Sequence, residues 1–474
     1  MSTRYKVFNL GGKQLKISPF LTDSGEMLRC VNMDNDMVGA KTKRSGYNTF
    51  LGTSDGSAIL DLFSWTKADG TSTFVYRNSG GKLYYYDAGV GTATAWTVCG
   101  AGTITAGNHV GQTVLAETLI IDQAGGTPRS STSGTSFGDI SLAPAGEYLA
   151  SYQNRVYIGG TASTLFYSAS GSGTDWATSG TSDSSSLTIP GAGKINKVMV
   201  VNDRIVTNKT SGIMHRWDGY SLRQIPTNKG LSSPYSVAQT EGYFFYLNRD
   251  GIYGFGGDTP QIVSNAIESE IYNKSNNGVP GANFDTAPGV MNRYNYLLAV
   301  GSVTDSLTNE QVTNAIIKYD FQLNQFTDYS FANSPTAWTT YKDNAGNIQV
   351  IFAGSGGQCY KLSGTATSDN GTAIEAIMEG VLSFGDPDSK KLFKEFKAFA
   401  SPGCGARVEI AMTDSFTSSR RKWISLGELS DGVVEFKFPS QSVGNLMAWR
   451  VSERSADAPF TFYGFEVEYD LLKV

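Results

Sequence analysis

A strand–turn–strand pattern that recurs along the chain constrains its fold more than any other feature. In the clearest copy, TFVYRNSGGKLYYYD (Thr73–Asp87), two alternating apolar runs flank an Asn/Gly turn, which indicates a β-hairpin. A recurrence every ~40 to 50 residues is typical of solenoids, propellers or arrays, and the strand-rich sequence favours a propeller of four-stranded blades. The other copies are Thr118–Ser131, Asn154–Ser168, Asp203–Trp217, Tyr243–Gly257, Asn295–Asp320 and Asn347–Leu362.

Residues 52–370 contain seven of these units, which predicts a β-propeller of seven blades. Six blades stay possible if one unit shares its sheet with the N-terminal segment or belongs to another sheet. Two polar, Gly/Ser/Thr-rich insertions, at 170–186 and 302–314, are predicted loops that make the spacing irregular. A single helix-like stretch, Ser264–Lys274, has apolar residues at helical spacing, with Ser264 or Asn265 as N-cap.

The two ends of the chain differ from this repeat. Residues 1–51 have apolar residues without a sustained period, which predicts an extended N-terminal arm. Its basic cluster, Lys41, Lys43 and Arg44, is interpreted either as a solvated loop or as a contact with a neighbouring subunit. Residues 371–474 contain longer alternating strands, which predict a C-terminal β-sandwich or jelly roll.

Composition agrees with an all-β protein and limits the function classes. The chain has 474 residues, 54 glycines and only 17% charged residues, with a formal net charge of −5. This charge argues against a protein that grips nucleic acid through its phosphates. We find no secretory h-region at the start and no run of about 18 apolar residues, so neither export by a signal peptide nor a membrane span is expected.

The cysteines do not predict a metal or redox site. No two of them have the C-x-x-C spacing of a zinc or redox motif. We therefore expect unpaired, mostly buried thiols in a protein made in a reducing cytoplasm. The four cysteines are Cys30, Cys99, Cys359 and Cys404.

Residues that could carry chemistry do not form a recognisable motif. The two histidines, His109 and His215, lack a nucleophile elbow or an oxyanion loop, and we interpret both as structural. A glycosidase would need two paired carboxylates, and the sequence cannot pair Asp175, Asp203 or Asp258. No P-loop or dinucleotide-binding glycine motif is present. We therefore predict no catalytic, cofactor-binding or metal-binding residues and no cofactor, and expect that the protein is not an enzyme.

Two further features have competing interpretations. SASGSGTDW (Ser168–Trp176) resembles the Asp-box turn of sialidase-type propellers, a motif with a structural role. The aromatic runs Tyr84–Tyr86 and Tyr243–Tyr246 are predicted to pack blade against blade; stacking on sugars or bases is the alternative.

The N-terminal segment contains an ordered series of short motifs. An SPF segment and a Gly-Glu pair lead to an N-x-D motif and a basic K-R-x-G-Y turn, at Ser18–Phe20, Gly25–Glu26, Asn32–Asp34 and Lys43–Tyr47. This series resembles the opening of tail hub, or nozzle, proteins of tailed bacteriophages. The blades are similar too, and Phe460–Leu472 resembles the closing strand of the terminal sandwich.

The resemblance implies a virion protein of a short tail, typically a homohexameric ring. Genomic DNA would pass along the ring without sequence-specific binding, and tail adaptor and tail fibre proteins would be partners. The protein would be made in the host cytoplasm and reside in the virion. The alternatives from the residues are a receptor- or glycan-binding virion protein and a polysaccharide-cleaving enzyme.

Overall fold

The computed structural model describes most of the chain, in segments separated by short gaps. Within these segments nearly all regular structure is β-strand, as the sequence predicts. Four sequence features lie outside these segments: the SPF segment at 18–20, Asp305 in the predicted loop at 302–314, Cys404, and the end of the predicted helix at 272–274. The described segments are 2–16, 25–35, 39–52, 56–70, 72–90, 94–100, 102, 104–160, 162–240, 242–271, 279–304, 311–354, 356–384, 388–402, 405–413, 421–430, 432–440, 442–455 and 460–472.

The N-terminal arm supplies short strands to three different sheets. Each strand is too short to form a stable sheet of its own and adds to an edge or a gap between longer strands. These strands are β1 (Thr3–Val7), β2 (Arg29–Val31), β3 (Met33–Asn35), β4 (Lys41–Lys43) and β5 (Tyr47–Thr49).

Six blades of the propeller are each built from four consecutive strands in the described segments. Neighbouring strands pair antiparallel in sequence order, so every blade is a meander. The first blade contains β6 (Ile59–Thr66), β7 (Thr73–Ser79), β8 (Lys82–Asp87) and β9 (Thr97–Val98), and the second contains β10 (Val110–Leu115), β11 (Thr118–Gln123), β12 (Arg129–Ser131) and β13 (Gly138–Asp139). The third blade contains β14 (Tyr148–Tyr152), β15 (Arg155–Gly159), β16 (Thr164–Tyr167) and β17 (Ser185–Thr188), and the fourth contains β18 (Ile195–Val200), β19 (Ile205–Lys209), β20 (Met214–Trp217) and β21 (Leu222–Gln224). The fifth blade contains β22 (Ala238–Thr240), β23 (Tyr243–Asn248), β24 (Gly251–Phe255) and β25 (Gln261–Ile262), and the sixth contains β26 (Gly289–Asn292), β27 (Asn295–Thr304), β28 (Gln311–Asp320) and β29 (Gln325–Ser330).

A composite sheet closes the ring between the sixth blade and the first. It contains β30 (Pro335–Lys342), β31 (Ile348–Gly354) and β32 (Cys359–Leu362), and β5 of the arm pairs with β32 as the fourth strand. The short strands β33 (Ser368–Asp369) and β34 (Thr372–Ala373) extend this sheet. The sequence predicts seven blades and also allows six. Six blades use only their own consecutive strands, and the last hairpin unit shares its sheet with the arm.

The first strand of each sheet lies nearest the propeller axis. Residues of β6, β10, β14, β18, β26 and β30 line the axial cavity, together with the segment that precedes β22. The second strands are almost fully buried between neighbouring sheets, as in β7 and β19. The second strand of a blade is the first strand of a hairpin unit, so this burial explains why such a unit begins with apolar or aromatic residues, as Phe74–Tyr76 in β7.

The C-terminal strands form a β-sandwich, and its first sheet continues from the propeller. In that sheet β2 pairs parallel with β29 and antiparallel with β35, and the order runs β29-β2-β35-β41-β37-β38. The second sheet has the order β3-β4-β42-β36-β39, with β1 beside β42 and β40 beside β36. The sandwich strands are β35 (Ala376–Leu382), β36 (Lys391–Ala400), β37 (Ala406–Thr413), β38 (Ile424–Leu429), β39 (Val433–Lys437), β40 (Val443–Gly444), β41 (Leu446–Glu453) and β42 (Thr461–Leu471).

The sandwich core follows the alternation predicted from the sequence. Val408 and Ile410 are fully buried, and so are Phe465 and Val467 of the opposite sheet. The indole of Trp449 lies between the sheets, with its ring centre 5.0 Å from that of Phe465.

Two local predictions change in the structure. The predicted helix is a 3-10 turn, Ser264–Ile267, followed by one α-helical turn, Glu268–Ile271. The Ser264 hydroxyl does not cap it and instead accepts a hydrogen bond from the backbone N–H of Ile252 at 2.9 Å. Both ends of the predicted loop at 302–314 belong to strands, because β27 runs to Thr304 and β28 begins at Gln311; residues 305–310 lie outside the described segments. No helix in the described segments is long and apolar enough to cross a membrane.

Gly464 provides a test of how the arm is held against the sandwich. Its φ is +141°, and a Cβ there would lie 2.1 Å from the carbonyl oxygen of Val7. We expect Gly464→Ala to lower the free energy of unfolding by about 2 to 3 kcal/mol, because strain and the clash push β1 from β42. Gly138→Ala is the matched control, since a Cβ there meets no atom within 4 Å. Urea denaturation that shows equal stability for both variants would contradict this packing.

Candidate functional site

The basic cluster of the arm is buried inside the molecule, so both interpretations of it from the sequence are wrong. Lys41, Lys43 and Arg44 have relative exposures of only 0, 2 and 2%. Their side chains donate hydrogen bonds to carboxylate, amide and carbonyl oxygens of the same chain. Such partners are required, because an unpaired charge in a protein interior is strongly destabilising.

The Arg44 guanidinium ties the arm to the sixth blade and the composite sheet. Its Nη1 and Nη2 donate to the two carboxylate oxygens of Asp369 at 2.8 and 2.7 Å, a bidentate pair. Nε donates to Oδ1 of Asn32 at 2.7 Å, and Nη2 donates to the carbonyl of Ser330 at 2.8 Å. The guanidinium also lies 4.6 Å from the ring centre of Phe331.

Two lysines of the arm make similar buried connections. Lys13 donates to Glu270 in the short helical turn and to Asp328 of β29, the second at 2.7 Å. Lys43 pairs with Glu453 at the end of β41. The arm is therefore held by charge to both the propeller and the sandwich.

The outer face of the second sandwich sheet carries a ladder of opposite charges. Lys6 pairs with Glu466 at 2.9 Å, and Lys397 pairs with Glu435 at 2.6 Å. Glu466 and Lys397 are direct neighbours across β42 and β36, so the row alternates in sign over four strands. Exposed pairs of this kind contribute only about 0 to 1 kcal/mol each to stability, which leaves their charges available for other contacts.

An apolar patch lies beside the ladder, two residues further along the strands. The rings of Phe8 and Phe399 are 5.0 Å apart, and Phe399 is opposite Val433 in the strand register. Phe8 and Val433 are 42 and 51% exposed. Close packing of Phe8 is possible because Gly464 beneath it has no side chain. We call Phe8, Phe399 and Val433 the sandwich patch.

The axial cavity of the propeller brings together side chains that are far apart in sequence. Its volume is about 290 Å³, and its wall comes from all seven sheets around the axis. It contains the titratable side chains Asp61, His109, Glu147, Tyr148, Lys197 and Tyr235. Of the described residues, no three His, Cys, Asp or Glu side chains are placed to hold a metal ion.

His109 is oriented by Asp61. Its Nδ1 lies 2.7 Å from Oδ1 of Asp61, whose Oδ2 accepts hydrogen bonds from the Val110 N–H and the Asn78 amide, both at 2.8 Å. The imidazole stacks on the ring of Tyr235 with 4.1 Å between ring centres. Burial opposes protonation of His109, but the hydrogen bond and the charge of Asp61 outweigh it and raise its pKa.

Lys197 and Glu147 complete the cavity. The Tyr235 hydroxyl donates to Oε1 of Glu147 at 2.9 Å. Lys197, on β18, is half-buried, and its Nζ lies 5.9 Å from the ring centre of Tyr148. Burial lowers the pKa of Lys197 to about 8, although the charges of Glu147 and Asp61 act in the opposite direction.

A wider vestibule connects this cavity to one face of the propeller. Its volume is about 870 Å³, and it shares His109, Glu147, Tyr148 and Tyr235 with the axial cavity. Its remaining wall is mostly polar and includes Lys194. Solvent and small molecules can therefore approach the axial cavity from this face.

The other residues singled out from the sequence do not converge on a site. Asp175 lies in the turn before the buried Trp176, as a structural Asp-box-like turn would place it. Asp203 lies in the turn between β18 and β19, and Asp258 pairs with Arg216 at 2.9 Å on the surface. His215 is buried on β20, and burial lowers its pKa.

The aromatic runs pack between blades, as predicted. Phe245 lies 5.7 Å from Tyr296 of the next blade, and Tyr86 lies 5.4 Å from Phe50 at the end of the arm. Cys30, Cys99 and Cys359 are buried. Burial raises the pKa of Cys30 to about 11 and that of Cys99 to about 12, so these thiols stay protonated and unreactive at neutral pH.

Sequence reasoning missed Glu147, Lys197 and Tyr235 and treated His109 as structural. Each of the four stands in or just before the first strand of its blade. No local motif unites them, because the ring closure alone places them together. The one available signal was the short apolar strand that precedes each hairpin unit, because that strand repeatedly faces the axis.

The solved structures to which the chain is similar share little sequence with it. No protein-family model matches the chain, and no curated protein matches it significantly. YCF48 bound to a D1 peptide matches with 9% identity and a TM-score of 0.43, covering 67% of this chain and 94% of that one. BamB from Moraxella catarrhalis matches with 13% identity and a TM-score of 0.41, covering 68 and 90%. The WD40 β-propeller domain of Doa1 matches with 10% identity and a TM-score of 0.42, covering 67 and 97%.

Replacing Arg44 tests whether its buried ion pair with Asp369 holds the arm in place. Arg44→Met leaves the buried carboxylate of Asp369 without its cation, so we expect the free energy of unfolding to fall by about 3 to 5 kcal/mol. Arg249→Ala is the control, because its pair with Asp285 is exposed, at 67 and 62%. We expect that control to change stability by less than about 1 kcal/mol. If chemical denaturation showed that both substitutions lower the free energy of unfolding equally, the Arg44–Asp369 pair would not be what holds the arm in place.

The two histidines provide a test of the cavity electrostatics. In an NMR titration of the imidazole protons, we expect His109 to titrate above the usual value of about 6.5 and His215 below it. Because the folded-state pKa of His109 is raised, its contribution to stability is complete below pH ~6.5 and is lost as the pH rises through that pKa. His215→Gln assigns the signals. A reversed order of the two midpoints would rule out the Asp61–His109 interaction.

Proposed function

We propose that this chain is a structural protein of a phage tail, a hub or nozzle subunit that assembles into a ring of six copies. The supporting observation is the position, in the structure, of the residues that match the motifs of tail hub proteins. Asn32, Asp34, Lys43, Arg44 and Tyr47 are the positions at which the arm connects propeller and sandwich. The similarity to tail hub proteins therefore concerns the residues that hold the two parts of this architecture together.

This architecture suits a protein that works by shape. The first sandwich sheet continues into the sixth blade through β2, so the two parts share backbone hydrogen bonds as well as ion pairs. A hub subunit has to transmit force between neighbours during DNA ejection without changing its fold. A rigid, non-catalytic body with separate outer surfaces meets that requirement, and such a protein would reside in the virion tail.

Ring assembly requires a heterologous interface, in which one patch of a subunit contacts a different patch of its neighbour. The sandwich patch and the charge ladder beside it are suited to be one half of that interface. Apolar residues at the centre and charges at the rim are the usual composition of such contacts. The remaining outer surfaces would be available to tail adaptor and tail fibre proteins.

The net charge of −5 suits a conduit that does not retain DNA. A mildly negative wall repels phosphate groups, so the genome would slide past without sequence-specific contacts. A strongly electropositive lumen in the assembled ring would argue against this part of the proposal.

Single-particle measurements on the purified protein test the proposal. We expect mass photometry, alone or with the tail adaptor protein, to show an assembly of about six subunits, and negative-stain images to show a ring. A chain that stays monomeric beside its tail partners and binds glycans would instead support the receptor-binding alternative.

The sandwich patch can be tested separately. Val433→Glu places a charge in the patch, and we expect it to reduce ring formation at least tenfold while the monomer stays folded. Val433→Thr is the control, since it keeps the shape and β-branching of the side chain. Rings that form equally well with both variants would remove the sandwich patch from the interface.

A further inference from the structure

The axial cavity has a surplus of hydrogen-bond donors. The carboxylate of Asp61 already accepts from His109, Val110 and Asn78, and that of Glu147 accepts from Tyr235. Both carboxylate oxygens of Asp61 and Oε1 of Glu147 are thus engaged by the protein. The cavity's donors are less well used, and buried polar groups without partners are costly, so a ligand that supplies acceptors would be favoured.

Lys197 is the main unused donor. Within the described segments it has neither an ion pair within 4 Å nor a hydrogen bond. Its nearest aromatic neighbour, Tyr148, is at the outer limit of a cation–π contact at 5.9 Å. A half-buried ammonium group without a hydrogen-bond partner has lost hydration and gained little in return.

His109 is a second donor in the same cavity. Its Nδ1 is occupied by Asp61, which leaves Nε2 as the other ring nitrogen. The imidazole is about a quarter exposed, at 28%. When protonated, His109 balances Asp61 in charge, and Lys197 balances Glu147, so the empty cavity is close to neutral. An entering monoanion therefore meets two donors and no net negative charge.

The size and access of the cavity set the kind of ligand. About 290 Å³ accommodates a small molecule and excludes a folded domain or a nucleic acid duplex. The vestibule opens this space to one propeller face, and Lys194 in its wall adds a positive charge along the route. A small ligand can therefore reach Lys197 without any movement of the blades.

We propose that the axial cavity binds a small oxyanion, either a carboxylate or a phosphate, through the ammonium group of Lys197 with His109 as a second donor. The bound oxyanion would accept hydrogen bonds from the ammonium group of Lys197. This site belongs to a single chain and is separate from the sandwich patch. Its existence does not depend on ring assembly.

Titration of the protein with inorganic phosphate and with acetate tests the site. We follow the lysine Cε signals by ¹³C NMR and assign Lys197 from the Lys197→Met spectrum. We expect one or both anions to shift the Lys197 signal with saturation at millimolar concentration and to raise its titration midpoint. The relevant titratable groups facing Lys197 are Asp61, His109, Glu147, Tyr148 and Tyr235. The stronger of the two anions identifies the ligand class.

Three variants make the test specific. We expect Lys197→Met to weaken anion binding at least about tenfold and Lys197→Arg to keep it within about threefold, because Arg retains the charge. Lys82→Met is the control, because it removes an exposed lysine that lines neither the cavity nor the vestibule, and it should change affinity less than about twofold. Circular dichroism and thermal unfolding establish that each variant is folded.

Three results would overturn the proposal. The first is wild-type affinity in Lys197→Met. The second is an equal anion response of Lys197 and the exposed lysines, which would indicate an unspecific ionic effect. The third is the lack of any response of Lys197 to both anions at about 10 mM, a concentration that saturates sites of useful affinity. None of these results would affect the mass measurement that tests ring assembly.

Discussion

The buried ion pairs of the N-terminal arm are the interactions on which the rest of the structure depends. Arg44 and Lys43 point inward, and each meets a carboxylate from a distant part of the chain. Such pairs gain little stability over apolar packing, but breaking one leaves an uncompensated charge in the interior. They therefore specify where the arm lies more than they add to stability.

The path of the arm joins the propeller and the sandwich into one rigid unit. The arm closes the composite sheet with β5, joins the sixth blade to the sandwich with β2, and completes the second sandwich sheet with β3 and β4. A propeller and a sandwich joined only by a linker would move relative to each other. Here they share a continuous sheet, so the sandwich patch and the axial cavity keep a fixed relation. A protein that works by shape depends on that rigidity.

The hairpin units and the clean alternation in the sandwich strands predicted the fold, because strand periodicity is a local property. The position of the basic cluster was not predictable, since Lys43 and Arg44 look like surface residues until their carboxylate partners, Glu453 and Asp369, are known. The axial cavity was missed for the same reason. Lys197 and His109 stand in different blades, and only ring closure places them in one space. The local sequence pattern thus predicted the strands, but it could not predict which charged residues, distant in sequence, lie close together in the fold.

Hydrogen exchange followed by mass spectrometry tests the central claim about the arm most directly. If the arm is a structural part of both sheets, the backbone amides of β2 and β5 are protected to the same degree as those of β29, β35 and β32, their pairing partners. The account predicts that these amides exchange together, only when the whole body unfolds. Fast exchange throughout residues 25–51, with the propeller and sandwich strands still protected, would contradict it.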